Sequence, residues 1–214
     1  MALAKAAIQK ALLHPVAKPT LFVACLLPFC WLFYGALTNQ LGANPAEALI
    51  RAMGDWALRF LCLALAITPL RVITNTPALA RFRRMLGLFV YFYVVTHLLS
   101  YSWFDMGFDV PEIVKDIIKR PFILVGFSAF LLLTPLAATS FNVAIKKLGA
   151  RRWQLLHKLV YLIAVLGLLH FFWMRSGKND FAEVFVYAVV VAVLLGWRLL
   201  RFINKKRLQP LPVM

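Results

Sequence analysis

Negative charge is scarce in this sequence. Its 214 residues include only 8 Asp and Glu against 24 Lys and Arg, and charged residues of both signs make up 15% of the chain. Soluble domains carry about 25%. With 63% hydrophobic residues and a mean hydropathy of +0.80, the composition excludes an ordinary soluble fold and points to an integral membrane protein. Cysteine is also sparse. Cys25, Cys30 and Cys62 all lie in apolar runs, with no CxxC or CxxCH, which argues against a disulfide framework. There is no GxGxxG and no P-loop, so no built-in nucleotide site is indicated. The net charge of +16 does not imply nucleic acid, because the basic residues flank apolar runs instead of forming a folded basic surface.

Apolar runs are abundant. Six stand out, at about 20–38, 56–73, 86–104, 121–138, 153–173 and 182–203, each approaching the ~20 residues a helix needs to cross a bilayer. The predicted fold is all-α, a six-transmembrane-helix bundle forming a single domain over 1–214. The second and fourth runs end at Thr68-Pro69 and Thr134-Pro135, where proline predicts a kink or an end. The first run is too long for a signal-peptide core and is read as a retained span. A short interfacial helix is predicted after Pro111, with Ile113, Ile117 and Ile118 toward lipid. The tail from Arg207 is too short to fold, so soluble chemistry is expected from docking partners.

Most basic residues fall on one side of these spans: Lys5, Lys10 and Lys18; Arg71, Arg81, Arg83 and Arg84; Lys146, Lys147, Arg151 and Arg152; and Arg198, Arg201, Lys205, Lys206 and Arg207. The positive-inside rule then predicts both termini in the cytoplasm and, in a bacterium, the opposite face in the periplasm. All eight acids gather at that opposite face or at its helix ends. Arg59 is expected to pair with Asp55 at i,i+4, and Lys158 to snorkel to the inner interface.

Four histidines are present: His14, His97, His157 and His170. His14 precedes Pro15 in the lead-in and suggests no special role. The other three sit in the third and fifth runs, where polar side chains are costly and often mark function. Apart from Glu183 at the start of the sixth run, no acid lies inside the predicted spans to extend a proton path, so metal or haem ligation is favoured. At 1.5 Å per residue, His97 and His170 both fall in the outer half, His170 roughly 8 Å from the outer boundary. Helices three and five can offer one imidazole each to the two faces of a haem iron there. His157 is alone in the inner half, about 20 Å along the axis from His170. Their thirteen-residue spacing leaves the two rings about 140° apart on an ideal helix, which calls either for a twist, for instance near Gly167, or for haems approached from different sides. Zinc is a weaker reading, because neither cysteines nor carboxylates join the histidines.

The segments GDWALRFLCLALAITPLR (54–71), RRMLGLFVYFYVVTHLLSY (83–101), RPFILVG (120–126), LTPLAATS (133–140) and LGARRWQLLHKLVYLIAVLGLLHFFW (148–173) resemble the ferric-reductase-like transmembrane family. Within it they are most similar to the haem-binding membrane subunits of bacterial methionine sulfoxide reductase systems. The resemblance implies a multi-pass inner-membrane protein with haem b, one or two per chain, on His97, His157 and His170. It also implies FMN, and an electron donor that is the quinone pool or a cytoplasmic flavin reductase. The implied acceptor is a periplasmic molybdopterin methionine sulfoxide reductase (MsrP-like) that repairs oxidised periplasmic proteins. The chain would then be an electron-transfer subunit of an oxidoreductase complex instead of its catalytic subunit. Two-haem members carry two histidines on helix three, whereas this chain has His97 alone, with Arg83 fourteen positions earlier. The acceptor is expected to dock over 105–120 and 174–181, steered by Asp105, Asp109, Glu112 and Asp116. Two other classes stay open: a quinone-reactive cytochrome b serving another partner, and a histidine-relay transporter without haem.

Overall fold

The computed structural model of the chain describes residues 2–177 and 179–207, which are helical with no strand among them. In order the helices are α1 (Ala2–Leu13), α2 (Ala17–Leu37), α3 (Pro45–Ile73), α4 (Arg83–Phe104), α5 (Val110–Lys119), α6 (Pro121–Ala138), α7 (Asn142–Leu148), α8 (Ala150–Leu156), α9 (Leu159–Ser176) and α10 (Ala182–Arg207). A 3-10 turn over Pro77–Phe82 leads into α4. Among the described residues, six stretches are long and apolar enough to cross a membrane, namely α2, α3, Pro77–Phe104, α6, Ala150–Ser176 and Ala182–Lys205. Most of the tail expected not to fold, residues 208–214, lies outside the described residues.

Three boundaries differ from the sequence expectation, each for a local reason. Helix α3 starts at Pro45, eleven residues before the apolar run. Asn44 caps it by accepting from the Glu47 amide, proline takes the first turn, and Glu47 reaches Arg51 at 2.5 Å. These charges escape a hydropathy reading yet belong to the helix, so Asp55 lies inside a span after all. Pro69 and Pro135 sit within α3 and α6 instead of ending them. The fifth run is broken at His157-Lys158, between α8 and α9. The ideal-helix angle between His157 and His170 therefore does not apply, and Gly167 lies inside an uninterrupted α9.

Helix α3 carries the largest share of the core. Met53, Ala57, Leu58, Phe60, Leu61 and Leu65 are buried, against Phe89, Val90 and Tyr93 of α4. Phe60 and Tyr93 stack with centroids 5.0 Å apart. Helix α3 packs chiefly on α4, and α6 chiefly on α9. The bundle is thus two leaves, with α10 beside α3 and α9. Large apolar side chains point outward, Trp31 at 69% and Phe185 at 70% exposure, as a lipid-facing surface requires.

Proline-disturbed backbone is repaired by side chains from neighbouring helices. Proline has no N–H, so Pro69 leaves the Leu65 carbonyl without its i+4 donor. Arg198 of α10 donates Nη2–H to that carbonyl, and Nη1–H to its own Leu194 carbonyl. Beside Pro28 in α2, the Tyr93 hydroxyl enters the backbone ladder. It donates to the Cys25 carbonyl at 2.9 Å and accepts from the Phe29 amide at 3.0 Å, splicing a rung the helix would otherwise close itself. Tyr93 is fully buried.

Helix α5 lies across one end of the bundle. Asp109 caps it by accepting from the Glu112 amide. Val110, Val114 and Ile118 are exposed, while Ile117 is buried. Ile117 turns into the bundle, not toward the lipid as expected. The Tyr101 hydroxyl of α4 donates to Asp116 Oδ2 at 2.7 Å, and Arg120 Nε meets Asp116 Oδ1 at 2.8 Å.

Candidate functional site

Between the two leaves lies a cavity of about 280 Å³, near the lower end of the roughly 300–1,000 Å³ of small-molecule sites. Its walls come from α3, α4, α5, α6 and α9, and most of the lining is apolar: Leu58, Leu61, Val90, Val94, Leu133 and Ile163 among others. Its mouth lies where α3 and α6 begin and α4 and α9 end. Arg51, Arg120 and Arg175 line that mouth, with Asp55, Tyr101 and Asp105.

The structure brings His97 and His170 together in this cavity, with ring centroids 6.2 Å apart and ring planes at 76°. Each ring is held the same way. His97 Nδ1 lies 2.8 Å from the Ile50 carbonyl oxygen of α3. His170 Nδ1 lies 2.6 Å from the Phe122 carbonyl oxygen of α6. A carbonyl only accepts, so both Nδ1 atoms carry the proton and both Nε2 atoms hold a free lone pair. The ring atoms nearest the helix wall are Nδ1, Cε1 and Cγ, which places Nε2 on the far side, toward the cavity. Neither Nε2 has a hydrogen-bond partner among the described residues.

This donor set fits a metal held between two imidazoles. A metal–imidazole bond is about 2 Å, so rings on opposite sides of one ion have centroids roughly 6 Å apart. The backbone bonds are the orienting contacts that ligating histidines ordinarily have, and they raise ligand basicity. A haem iron accepts such axial ligands, and the apolar walls suit a porphyrin face. The mouth holds three arginines, but each is paired with a carboxylate of the chain, Arg51 with Glu47, Arg120 with Asp116, and Arg175 with Asp180 and Glu183. No group of three or more metal-capable side chains exists among the described residues, so His97 and His170 are the side chains that would hold a metal here.

His157 is placed elsewhere. It does not line the cavity; its ring lies 4.0 Å from that of Trp153, and its Nε2 lies 3.2 Å from Thr139 Oγ1. Thr139 commits its hydroxyl proton to the Pro135 carbonyl at 2.7 Å, so His157 Nε2–H donates to it. Trp153 Nε1 donates to the Thr139 carbonyl at 2.9 Å, closing a small knot at the helix break. His14 is exposed in the turn between α1 and α2.

Several residues at the site carry no motif. The Ile50 and Phe122 carbonyls are main chain and leave no trace in composition. The mouth arginines were hidden by their role as apparent span flanks. Arg59 does not bridge to Asp55; its Nε donates to the Tyr187 hydroxyl at 3.1 Å, with its guanidinium over Trp56. Of the four acids expected to steer a partner, Asp116 is 13% exposed and tied to Tyr101 and Arg120. Asp109 caps α5, and Glu112 pairs with Lys115 at 2.7 Å. Asp105 sits at the mouth, where burial pushes its carboxyl above its ordinary range; Arg120 opposes the rise and Asp116 and Glu47 add to it.

Comparison with known proteins follows the same lines. The family model for the ferric reductase like transmembrane component matches residues 53–168. The protein-methionine-sulfoxide reductase heme-binding subunit MsrQ of Polaromonas naphthalenivorans is 80% identical over 190 residues, 89% of this chain and 87% of that protein. The subunit of the same name from Herminiimonas arsenicoxydans is 57% identical, over 83% of this chain and 82% of its own length. That of Rhodospirillum rubrum is 47% identical, over 90% and 91%. No solved structure matches the chain.

Proposed function

From the premise that the chain belongs to the ferric reductase-like transmembrane family, among the MsrQ subunits of bacterial inner membranes, we propose that it is the haem b subunit of a methionine sulfoxide reductase system. It would pass electrons across the inner membrane from the quinone pool or a cytoplasmic flavin reductase to a periplasmic molybdopterin reductase of the MsrP type. The observation that carries this reading is the pair of facing imidazoles, 6.2 Å apart, each with Nδ1 tied to a helix carbonyl.

A bound haem supplies one-electron exchange between ferric and ferrous iron. The protein supplies place and environment. His97 and His170 would hold the iron through Nε2, with the Ile50 and Phe122 carbonyls keeping both rings in the ligating tautomer. Leu58, Leu61, Val90, Leu133 and Ile163 keep water away. Arg51, Arg120 and Arg175 would meet a ligand's carboxylates at the mouth only by sharing or exchanging their present pairs with Glu47, Asp116, Asp180 and Glu183. The haem count, one or two, is decided by pyridine haemochrome quantitation, and a second haem would rest on His157. FMN rests on the family resemblance alone, and flavin analysis decides it.

The basic residues at the opposite end of the bundle support cytoplasmic termini. Electrons would then be taken up at that face and delivered near the mouth, where the acceptor docks on the periplasmic side. The transporter alternative loses support from the same geometry. Both Nδ1 protons end on backbone carbonyls, which pass no proton onward. The purified protein should show a low-spin, bis-histidine b-type spectrum, and His97→Ala or His170→Ala should each remove most of it. Sulfoxide reduction by the partner, driven from quinol in membranes, should fall with it. A colourless wild type, or wild-type spectra in both variants, would refute the assignment.

A further inference from the structure

The two histidine seats share a feature beyond the carbonyls. Gly54 stands four residues after Ile50 on α3, and Gly126 four residues after Phe122 on α6. In an α-helix the carbonyl of residue i faces the amide of residue i+4. The side chain at i+4 leans back toward the N-terminus and covers the turn that holds that carbonyl. Glycine at i+4 leaves it uncovered, so an imidazole from another helix can reach the second lone pair.

The clearances say how closely the rings use this opening. A Cβ at Gly126 would lie 2.7 Å from His170 Nδ1, 2.9 Å from Cε1 and 3.1 Å from Cγ. A Cβ at Gly54 would lie 3.2 Å from both Cε1 and Nδ1 of His97. Gly87, Gly167 and Gly196 would meet nothing within 4 Å. The two glycines that touch imidazoles are thus the two placed four residues after the carbonyls those imidazoles use.

We propose that Gly54 and Gly126 are positioning residues for the two haem ligands. The missing side chain lets each ring lean on the helix and share the carbonyl. Through that bond it sets the tautomer, the ring plane and the electron density at Nε2. The inference rests on the haem reading above. It ranks the two seats, with Gly126 the tighter, because an added methyl there would overlap the ring while one at Gly54 would only press on it.

The test uses the full-length holoprotein, with Gly54→Ala and Gly126→Ala beside Gly87→Ala and Gly196→Ala. Three quantities are read: haem per chain, midpoint potential, and the low-spin EPR signal, which depends on the angle between the axial ring planes. Losing the orienting bond typically costs 10–100-fold in metal affinity, so Gly126→Ala should retain haem at least tenfold more weakly. Gly54→Ala should keep its haem but shift its EPR signal. Its potential should rise, because a less electron-rich imidazole stabilises ferric iron less. Gly87→Ala and Gly196→Ala should match the wild type in all three. Wild-type potential and EPR in Gly54→Ala would overturn the proposal, and that variant alone decides if Gly126→Ala fails to accumulate. A larger effect at Gly54 than at Gly126 would overturn it too. A wild type without haem would instead refute the reading on which it stands.

Discussion

Replacing Asp116 by alanine should loosen α5 from the mouth of the cavity. The carboxylate holds two partners, the Tyr101 hydroxyl at 2.7 Å and Arg120 at 2.8 Å. A hydrogen bond to a charged group contributes about 1.5–3 kcal/mol. The Arg120 pair contributes less than about 1 kcal/mol, since Arg120 is 55% exposed and solvent screens it. Together, after allowing for the alanine helix relaxing, the loss is about 2 kcal/mol. At 1.4 kcal/mol per factor of ten, opening of α5 should become about 30-fold more frequent. Amide hydrogen exchange across 110–119 in detergent or nanodiscs measures this directly. Because Ile117 and Arg120 line the cavity, reduction of the haem by a small, membrane-impermeant reductant should quicken in the same variant. Lys115→Ala, which breaks an exposed pair on the same helix, should change neither. Wild-type protection in Asp116→Ala would refute the latch, as would equal acceleration in Lys115→Ala.

Other outcomes follow from the same structure. Arg198→Leu should strand the Leu65 carbonyl and destabilise the bundle by about 1–3 kcal/mol. Adding Pro69→Ala restores an amide to that carbonyl and should recover most of the loss, so additive thermal shifts in the double variant would refute the pairing. Tyr93→Phe removes the inserted hydroxyl between Cys25 and Phe29 and should lower the thermal midpoint by an amount equivalent to about 1–3 kcal/mol; an unchanged midpoint would show that α2 closes its own rung. His157→Ala should leave in place the low-spin EPR signal of the haem proposed for His97 and His170, and loss of that signal would tie His157 to the cavity after all.

Much of the architecture was legible because hydrophobic length is a one-dimensional property. The sixth run matched α10 at its start, and the fourth run, 121–138, matched α6 at both ends. The failures came where charge sits inside a helix. Glu47, Arg51 and Asp55 made the start of α3 look like a loop, though an Asn cap, a proline and an i,i+4 pair build a good helix start. The pairing of His97 with His170 followed from depth alone, since rise per residue is the same in any straight helix. The twist needed for His157 was sought at Gly167 because sequence does not show where a helix restarts; the break lies at His157-Lys158. What holds the imidazoles was invisible for a different reason. Its donors and acceptors are main chain, and its sequence trace is a single glycine four residues after an unremarkable apolar one.

Each leaf of the bundle completes its own half of the site. His97 on α4 is seated by α3, and His170 on α9 by α6, so neither ring needs the other leaf to find its orientation. The carbonyl that orients His97 thus lies within residues 45–104, and the one that orients His170 within 121–176. A group bound between the two rings would bridge segments far apart in the chain. Damage to one leaf should therefore leave the ring of the other leaf seated, so the two halves of the site fail separately.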